Sequence, residues 1–148
     1  VSDADYEARA AGKRVIISAA EECRVMGNES ILRSAIENVL RNAVKYTAEG
    51  TEVNVSLSCK EKKALIAVSD EGGGVPDPEL ENLFKPFYRV GEARDRGSGG
   101  TGLGLAIAEQ AVKSHKGRIS ARNNNGGLVV EIELDRVISK WEGAGFSS

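Results

Sequence analysis

Hydrophobic positions along this chain switch between two periods. From residue 29 to 46, Ile31, Leu32, Ala35, Ile36, Val39, Leu40, Ala43 and Val44 recur at three- and four-residue steps, which predicts an amphipathic helix with Asn28 as its N-cap. Gly50 lies beyond its end. Residues 51–59 then alternate, Val53, Val55 and Leu57 facing one way and Asn54, Ser56 and Ser58 the other, as a half-buried strand requires. The charged run 60–63 turns the chain into a second strand over 64–69, making a hairpin. Earlier, residues 15–19 read as a short β-branched strand, with 23–26 as a short partner strand. Residues 103–115 predict a second helix with Leu103, Ile107, Ala111 and Val112 turned inward. Residues 118–122 and 128–134 predict strands joined by the turn Asn123-Asn124-Asn125-Gly126-Gly127. Residues 70–78 and 89–100 are rich in Gly, Pro or charge and predict loops, with one helical turn at 79–83. Helices and strands mix without regular βαβ alternation, so an α+β fold is expected, built as a two-layer α/β sandwich. One domain over 14–135 is expected, entered by a polar, Ala-rich stretch at 1–13 and followed by a C-terminal tail at 136–148 that looks frayed over 139–148.

Composition narrows the function classes. The 148 residues suit one domain, and a hydrophobic share of 41% supports a packed core. Lys+Arg (20) and Asp+Glu (22) nearly cancel, so no broad nucleic-acid surface is suggested and no nucleic-acid partner is expected. No apolar run approaches the roughly 20 residues that span a bilayer, which predicts a soluble fragment. Cys23 and Cys59 lie outside any CxxC motif, and a single histidine cannot complete a usual zinc set with them. Two free, buried thiols in a reducing cytoplasm are expected.

Glycine is distributed unevenly. One cluster is Asp70-Glu71-Gly72-Gly73-Gly74. About thirty residues on, Gly99-Gly100-Thr101-Gly102-Leu103-Gly104 opens a helix. Glycines let a ligand approach the backbone, and a helix N-terminus offers unpaired N–H groups to a phosphate. Neither a Rossmann site nor a P-loop fits: the preceding segment is a polar loop, and no Gly-Lys-Ser/Thr follows. Asn38 and Asn42 stand four apart on one face of the first strong helix. Asparagine is mildly unfavourable inside helices, so the pair reads either as a polar edge or as amide oxygens for a hydrated Mg²⁺. Lys45 and Tyr46 follow one turn later.

The ordered set Asn38…Asn42, Asp70-x-Gly72-x-Gly74, Phe84-x-x-Phe87 and Gly100-x-Gly102-x-Gly104 resembles the N, G1, F and G2 boxes of sensor histidine kinases, within the wider ATPase family shared with gyrase, Hsp90 and MutL. The resemblance covers roughly residues 13–135. The segment from Phe84-Lys85-Pro86-Phe87-Tyr88-Arg89 to Ile107 is especially similar to the Cpx-type envelope-stress kinases of proteobacteria. The resemblance implies the Bergerat ATP-binding fold, a mixed and mostly antiparallel sheet covered by helices on one face. It implies ATP and Mg²⁺ as ligands, and transfer of the γ-phosphoryl group to a histidine on a separate dimerisation domain, for relay to a cognate response regulator. The parent protein would be a homodimer in the bacterial inner membrane, with this domain in the cytoplasm and the histidine-bearing domain N-terminal to residue 1.

Roles follow from the same resemblance. Asp70 would accept from the adenine amine, and Gly72 and Gly74 would let the purine lie close to backbone. Asn42 would ligate Mg²⁺ and Asn38 support the phosphates. Lys45 and Arg89 would contact phosphate, with Tyr46 near the nucleoside. Phe84 and Phe87 would anchor a lid carrying Arg94 and Arg96, either of which would reach the γ-phosphate. Gly100, Thr101, Gly102, Leu103 and Gly104 would wrap the triphosphate. Hydrolysing relatives usually have glutamate where Asn38 stands; an asparagine cannot be that base, which favours transfer over hydrolysis. His115, the single histidine, ends a helix before a glycine and is expected to be structural, not the phosphoacceptor. A serine kinase of the anti-sigma-factor type uses the same nucleotide fold; the run at 84–89 favours the histidine kinase.

Overall fold

The computed structural model describes residues 2–88 and 103–137. The elements are α1 (Ser2–Ala10), β1 (Arg14–Ala20), α2 (Glu29–Tyr46), β2 (Glu52–Lys60), β3 (Lys63–Ser69), a 3₁₀ helix (Asp77–Phe84), α3 (Gly104–Ser114), β4 (Arg118–Asn124) and β5 (Gly127–Asp135). The strands form one five-stranded mixed sheet in the order β1-β2-β3-β5-β4. Only β1 and β2 run parallel; the other pairs are antiparallel. This is the α+β architecture that the mixed element order predicts.

Register builds the core row by row. Val55 stands beside Val68, Val68 beside Val130, and Val130 beside Ala121. The next row is Leu57, Ile66, Ile132 and Ile119. These side chains share a face and meet α2 and α3, which bury Leu40, Val39, Ala35, Leu105, Ala108 and Val112 against them. The alternate residues Asn54, Ser56, Ser58 and Ala67 point to the other face, as the two-residue period of a strand dictates.

The first strong helix spans the predicted residues, and the Asn28 side chain accepts from the Ile31 N–H at 3.0 Å. Three expectations are corrected, and the start of the chain, which the pattern left open, takes a definite form. Residues 23–26 do not pair with β1. They contribute one antiparallel bridge, Val25 with Arg136, because β1 takes β2 as its parallel neighbour. In α3 the buried residues are Leu105, Ala108, Ala111 and Val112, while Ile107 is 47% exposed. Two overlapping stripes exist in that segment, and the one containing Ala108 allows closer approach to α2. The polar start of the chain folds into α1, whose Ala4 and Ala8 are fully buried against α2. Lys13 then donates through Nζ to the carbonyl oxygens of Val44 (2.8 Å) and Lys45 (3.3 Å), near the helix C-terminus where a cation is favoured.

The third correction concerns the cysteines. Cys23 and Cys59 are half-buried and joined as a disulfide, with Cα atoms 6.0 Å apart. The segment after β1 runs beside the end of β2, a tertiary proximity that spacing alone does not reveal. The bond closes a loop with a sequence separation of 36. Cys59→Ser is expected to lower the unfolding free energy by about 3 kcal/mol. Urea denaturation with and without reductant checks this; identical midpoints would show that the crosslink contributes nothing.

Candidate functional site

The two regions singled out by sequence meet on α2. At its C-terminal end the chain leaves the helix at Thr47, which is 2% exposed. The Thr47 hydroxyl accepts from the Glu71 N–H at 2.9 Å and pairs with the Thr51 hydroxyl at 2.7 Å. The Ala48 N–H donates to the Glu71 carbonyl at 3.3 Å. The first glycine cluster is thereby laid across the end of α2. Gly72 is required there, since a Cβ at that position would lie 2.2 Å from the Tyr46 carbonyl oxygen, closer than any atom can approach.

Asp70 begins this loop and is buried, with 7% exposure. Its Oδ1 accepts from the Gly72 N–H at 2.9 Å and from the Leu128 N–H at 3.3 Å. Its own N–H donates to the Leu128 carbonyl at 3.0 Å. A carboxylate buried on this scale costs several kcal/mol unless charge-compatible donors surround it. The two N–H groups fix its orientation as well as reducing that cost.

Asn38, Asn42, Lys45 and Tyr46 are all half-buried along α2. Asn38 spends its amide nitrogen on the Ser34 carbonyl one turn back, at 2.9 Å. Its oxygen is turned toward the start of α3, where a Cβ at Gly104 would lie 3.5 Å from it. Lys45 places its ammonium 5.0 Å from the Tyr46 ring centre, a cation–π distance. Leu103 is half-buried and precedes the first turn of α3. Asn38 and Tyr46 stand eight residues apart, about 12 Å along the helix axis. The glycine-loop contact and the α3 contact therefore stand apart along one rigid element.

Of the other residues singled out, Arg89, Arg94, Arg96, Gly100, Thr101 and Gly102 lie outside the described residues, as do the expected loop at 89–100 and the expected frayed tail at 139–148. The phenylalanine pair splits: Phe84 is in the core at 8% exposure, whereas Phe87 is 72% exposed with φ +64°. Tyr88 donates its hydroxyl to Glu79, and that hydrogen bond holds the phenol pKa above its ordinary value. His115 accepts from the Asn28 N–H through Nε2 at 3.0 Å, with Nδ1 placed 2.8 Å from the Ala111 carbonyl. The ring couples the end of α3 to the N-cap of α2.

Two participants were not singled out by sequence. Thr47 is a helix-ending hydroxyl, and its position just past Tyr46 is a signal that could have been used. Asn123 was absorbed into a turn motif, yet its side chain reaches the glycine loop at Val75 and Asp77.

Comparison with known proteins identifies the family. A family model described as histidine kinase-, DNA gyrase B-, and HSP90-like ATPase matches residues 27–138. The sensor histidine kinase CpxA of Escherichia coli K12 is 40% identical over 136 residues, covering 90% of this chain and 29% of that protein. Sensor histidine kinase RppB of Synechocystis is 40% identical over 114 residues, covering 76% of this chain and 25% of its own length. Among solved structures, the mycobacterial sensor histidine kinase MprB superposes with a TM-score of 0.78 at 27% identity, over 93% of this chain and 94% of that one. The catalytic domain of histidine kinase ThkA, nucleotide free, gives 0.74 at 22% identity over 92% of each chain, a likeness of fold alone. The chain spans less than a third of the curated relatives it matches. Among the described residues no helix is long and apolar enough to cross a membrane.

Proposed function

Since this chain belongs to the family of histidine kinase-, DNA gyrase B- and HSP90-like ATPases and matches the catalytic module of sensor histidine kinases within it, we propose that it binds MgATP and passes the γ-phosphoryl group to a histidine on a separate dimerisation domain. The phosphoryl group would then move to an aspartate of a cognate response regulator. The parent protein would be a homodimer of the inner membrane. The observation that carries this reading is the pairing along α2: a buried carboxylate loop at one end of the helix and an amide oxygen turned toward Gly104 further back.

Each residue then has a physical task. Asp70 accepts from the exocyclic amine of adenine and repels the carbonyl that guanine carries in its place. Gly72 and Gly74 keep the purine near backbone, and Tyr46 packs by the nucleoside. Asn42, with Asn38 beside it, would hold Mg²⁺ through an amide oxygen. An amide oxygen is a hard donor of the kind Mg²⁺ accepts, and Mg²⁺ usually keeps waters and takes its remaining ligands from phosphates. The ion supplies neutralisation of the phosphate charge. Lys45 and Arg89 add positive charge to the triphosphate, and Arg96 reaches its end. Gly100, Thr101, Gly102, Leu103 and Gly104 wrap it at the start of α3, where the unpaired N–H groups of the first turn favour an anion. Asn38 has no basic lone pair with which to activate water, so the pocket positions ATP for an incoming histidine and hydrolyses it slowly.

Titration calorimetry with ATP, with and without Mg²⁺, tests the binding half. Tight binding strengthened by Mg²⁺ is expected; no binding overturns the reading. Incubation with γ-labelled ATP and the parent's histidine-bearing domain tests transfer. An acid-labile phosphoprotein is expected, whereas an acid-stable one would mark a serine kinase.

A further inference from the structure

The loop from Asp70 to Asp77 is fastened along its length to the β4–β5 hairpin. Two of the fastenings are backbone to backbone: the Asp70 N–H donates to the Leu128 carbonyl at 3.0 Å, and the Gly73 N–H to the Gly126 carbonyl at 2.7 Å. The Leu128 N–H also donates to the Asp70 Oδ1 at 3.3 Å, and the remaining fastening is made by the Asn123 side chain. The Asn123 Oδ1 accepts from the Val75 N–H at 2.9 Å, and its Nδ2 donates to the Val75 carbonyl at 2.6 Å and to Asp77 Oδ1 at 2.8 Å. An amide side chain thus pairs with both polar groups of one residue, as a neighbouring strand would. Gly74 lies between, with φ +72°, and a Cβ there would stand 2.5 Å from the Asn123 Oδ1. The loop cannot shift without breaking this clamp.

We propose that Asn123 is a positioning residue for purine selection: it sets where the Asp70 loop lies, and so how the buried carboxylate and the backbone of Gly72 and Gly74 meet the base. The inference rests on the nucleotide reading above. Its logic is chemical. Asparagine alone offers one acceptor and one two-hydrogen donor at this side-chain length. Aspartate keeps the acceptor but loses both donated bonds, and turns a carboxylate toward the Val75 carbonyl and the Asp77 carboxylate. Alanine loses all three bonds and adds no charge. Asn123 itself touches no reacting atom.

The test measures ATP and GTP affinities by calorimetry for the wild type, Asn123→Asp and Asn123→Ala, with thermal unfolding of each and Asp70→Asn as reference. Both Asn123 variants are expected to bind ATP about tenfold more weakly, with the ATP-to-GTP ratio falling by a similar factor and the aspartate variant affected more. A merely structural residue would lower the melting temperature and leave that ratio unchanged in the folded molecules; that result, with Asp70→Asn showing its own loss, overturns this inference and leaves the nucleotide reading standing. Failure of both variants to fold would also count against it, by making Asn123 a determinant of folding. If the wild type binds no ATP, the nucleotide reading falls and this inference with it; if Asp70→Asn leaves ATP binding intact, Asp70 does not read the base and this inference alone falls.

Discussion

Asp70→Asn is expected to weaken ATP binding about 100-fold, some 2.7 kcal/mol, while the protein stays folded. The substitution conserves size, so the core beneath the loop is not disturbed. What it changes is hydrogen-bond polarity. In the wild type Oδ1 already accepts from the Gly72 and Leu128 N–H groups. If the asparagine oxygen keeps those two bonds, its amide nitrogen faces the adenine amine and donor meets donor. If the side chain flips, the nitrogen instead faces the two backbone N–H groups, with the same conflict inside the protein. Either way one buried donor goes unpaired, and the charge-assisted bond to the base is lost. Guanine presents an acceptor at the matching position, so GTP affinity is expected not to fall. Calorimetry with both nucleotides measures this. Equal loss for ATP and GTP would mean that Asp70 shapes the loop without reading the base.

The residues behind that prediction were legible in sequence for a definite reason. Asp70, Gly72, Gly74, Asn38 and Asn42 stand out because each departs from what its element would otherwise hold: glycines where strand would continue, asparagines on a helix beside an apolar stripe. The bounds of α2 were legible for a related reason, since eighteen residues give several turns of unbroken periodicity and Asn28 supplies a cap. The β2–β3 hairpin was legible from its alternation and its charged turn.

What stayed hidden is mostly what only tertiary proximity supplies. The parallel pairing of β1 with β2 depends on a crossover through α2, and no local signal separates it from a hairpin with residues 23–26. The joining of Cys23 and Cys59 depends on that same crossover. Helix α1 buries alanines, which carry too weak a pattern to announce a face. Asn123 was masked by its neighbours: in Asn123-Asn124-Asn125-Gly126 the tight turn needs left-handed backbone at Asn125 (φ +44°) and Gly126 (φ +83°). Once the turn explained the asparagines, nothing marked the first of them as the one that reaches Val75.

Gly127→Ala is expected to be the most damaging single methyl group in the hairpin, costing about 3 kcal/mol and lowering the melting temperature by about 10 °C. A Cβ at 127 would lie 1.8 Å from the Asp70 carbonyl oxygen and 2.9 Å from its carbonyl carbon. The obstacle is backbone, so no rotamer change relieves it. The two chains there must separate. Separation breaks the Asp70 bonds to Leu128 as well, because Leu128 is the next residue and pairs with Asp70 through both its N–H and its carbonyl. Stability and base recognition therefore fail together. The adjacent Gly126 is the control: its φ is +83° but nothing lies within 4 Å of its Cβ position, so Gly126→Ala meets only left-handed strain, about 1 kcal/mol, and keeps ATP binding. Urea denaturation and ATP titration on both variants separate the cases. Equal stabilities would mean that the Asp70 loop can move away from β5 at little cost, and a loop that free could not hold a carboxylate in register with a purine.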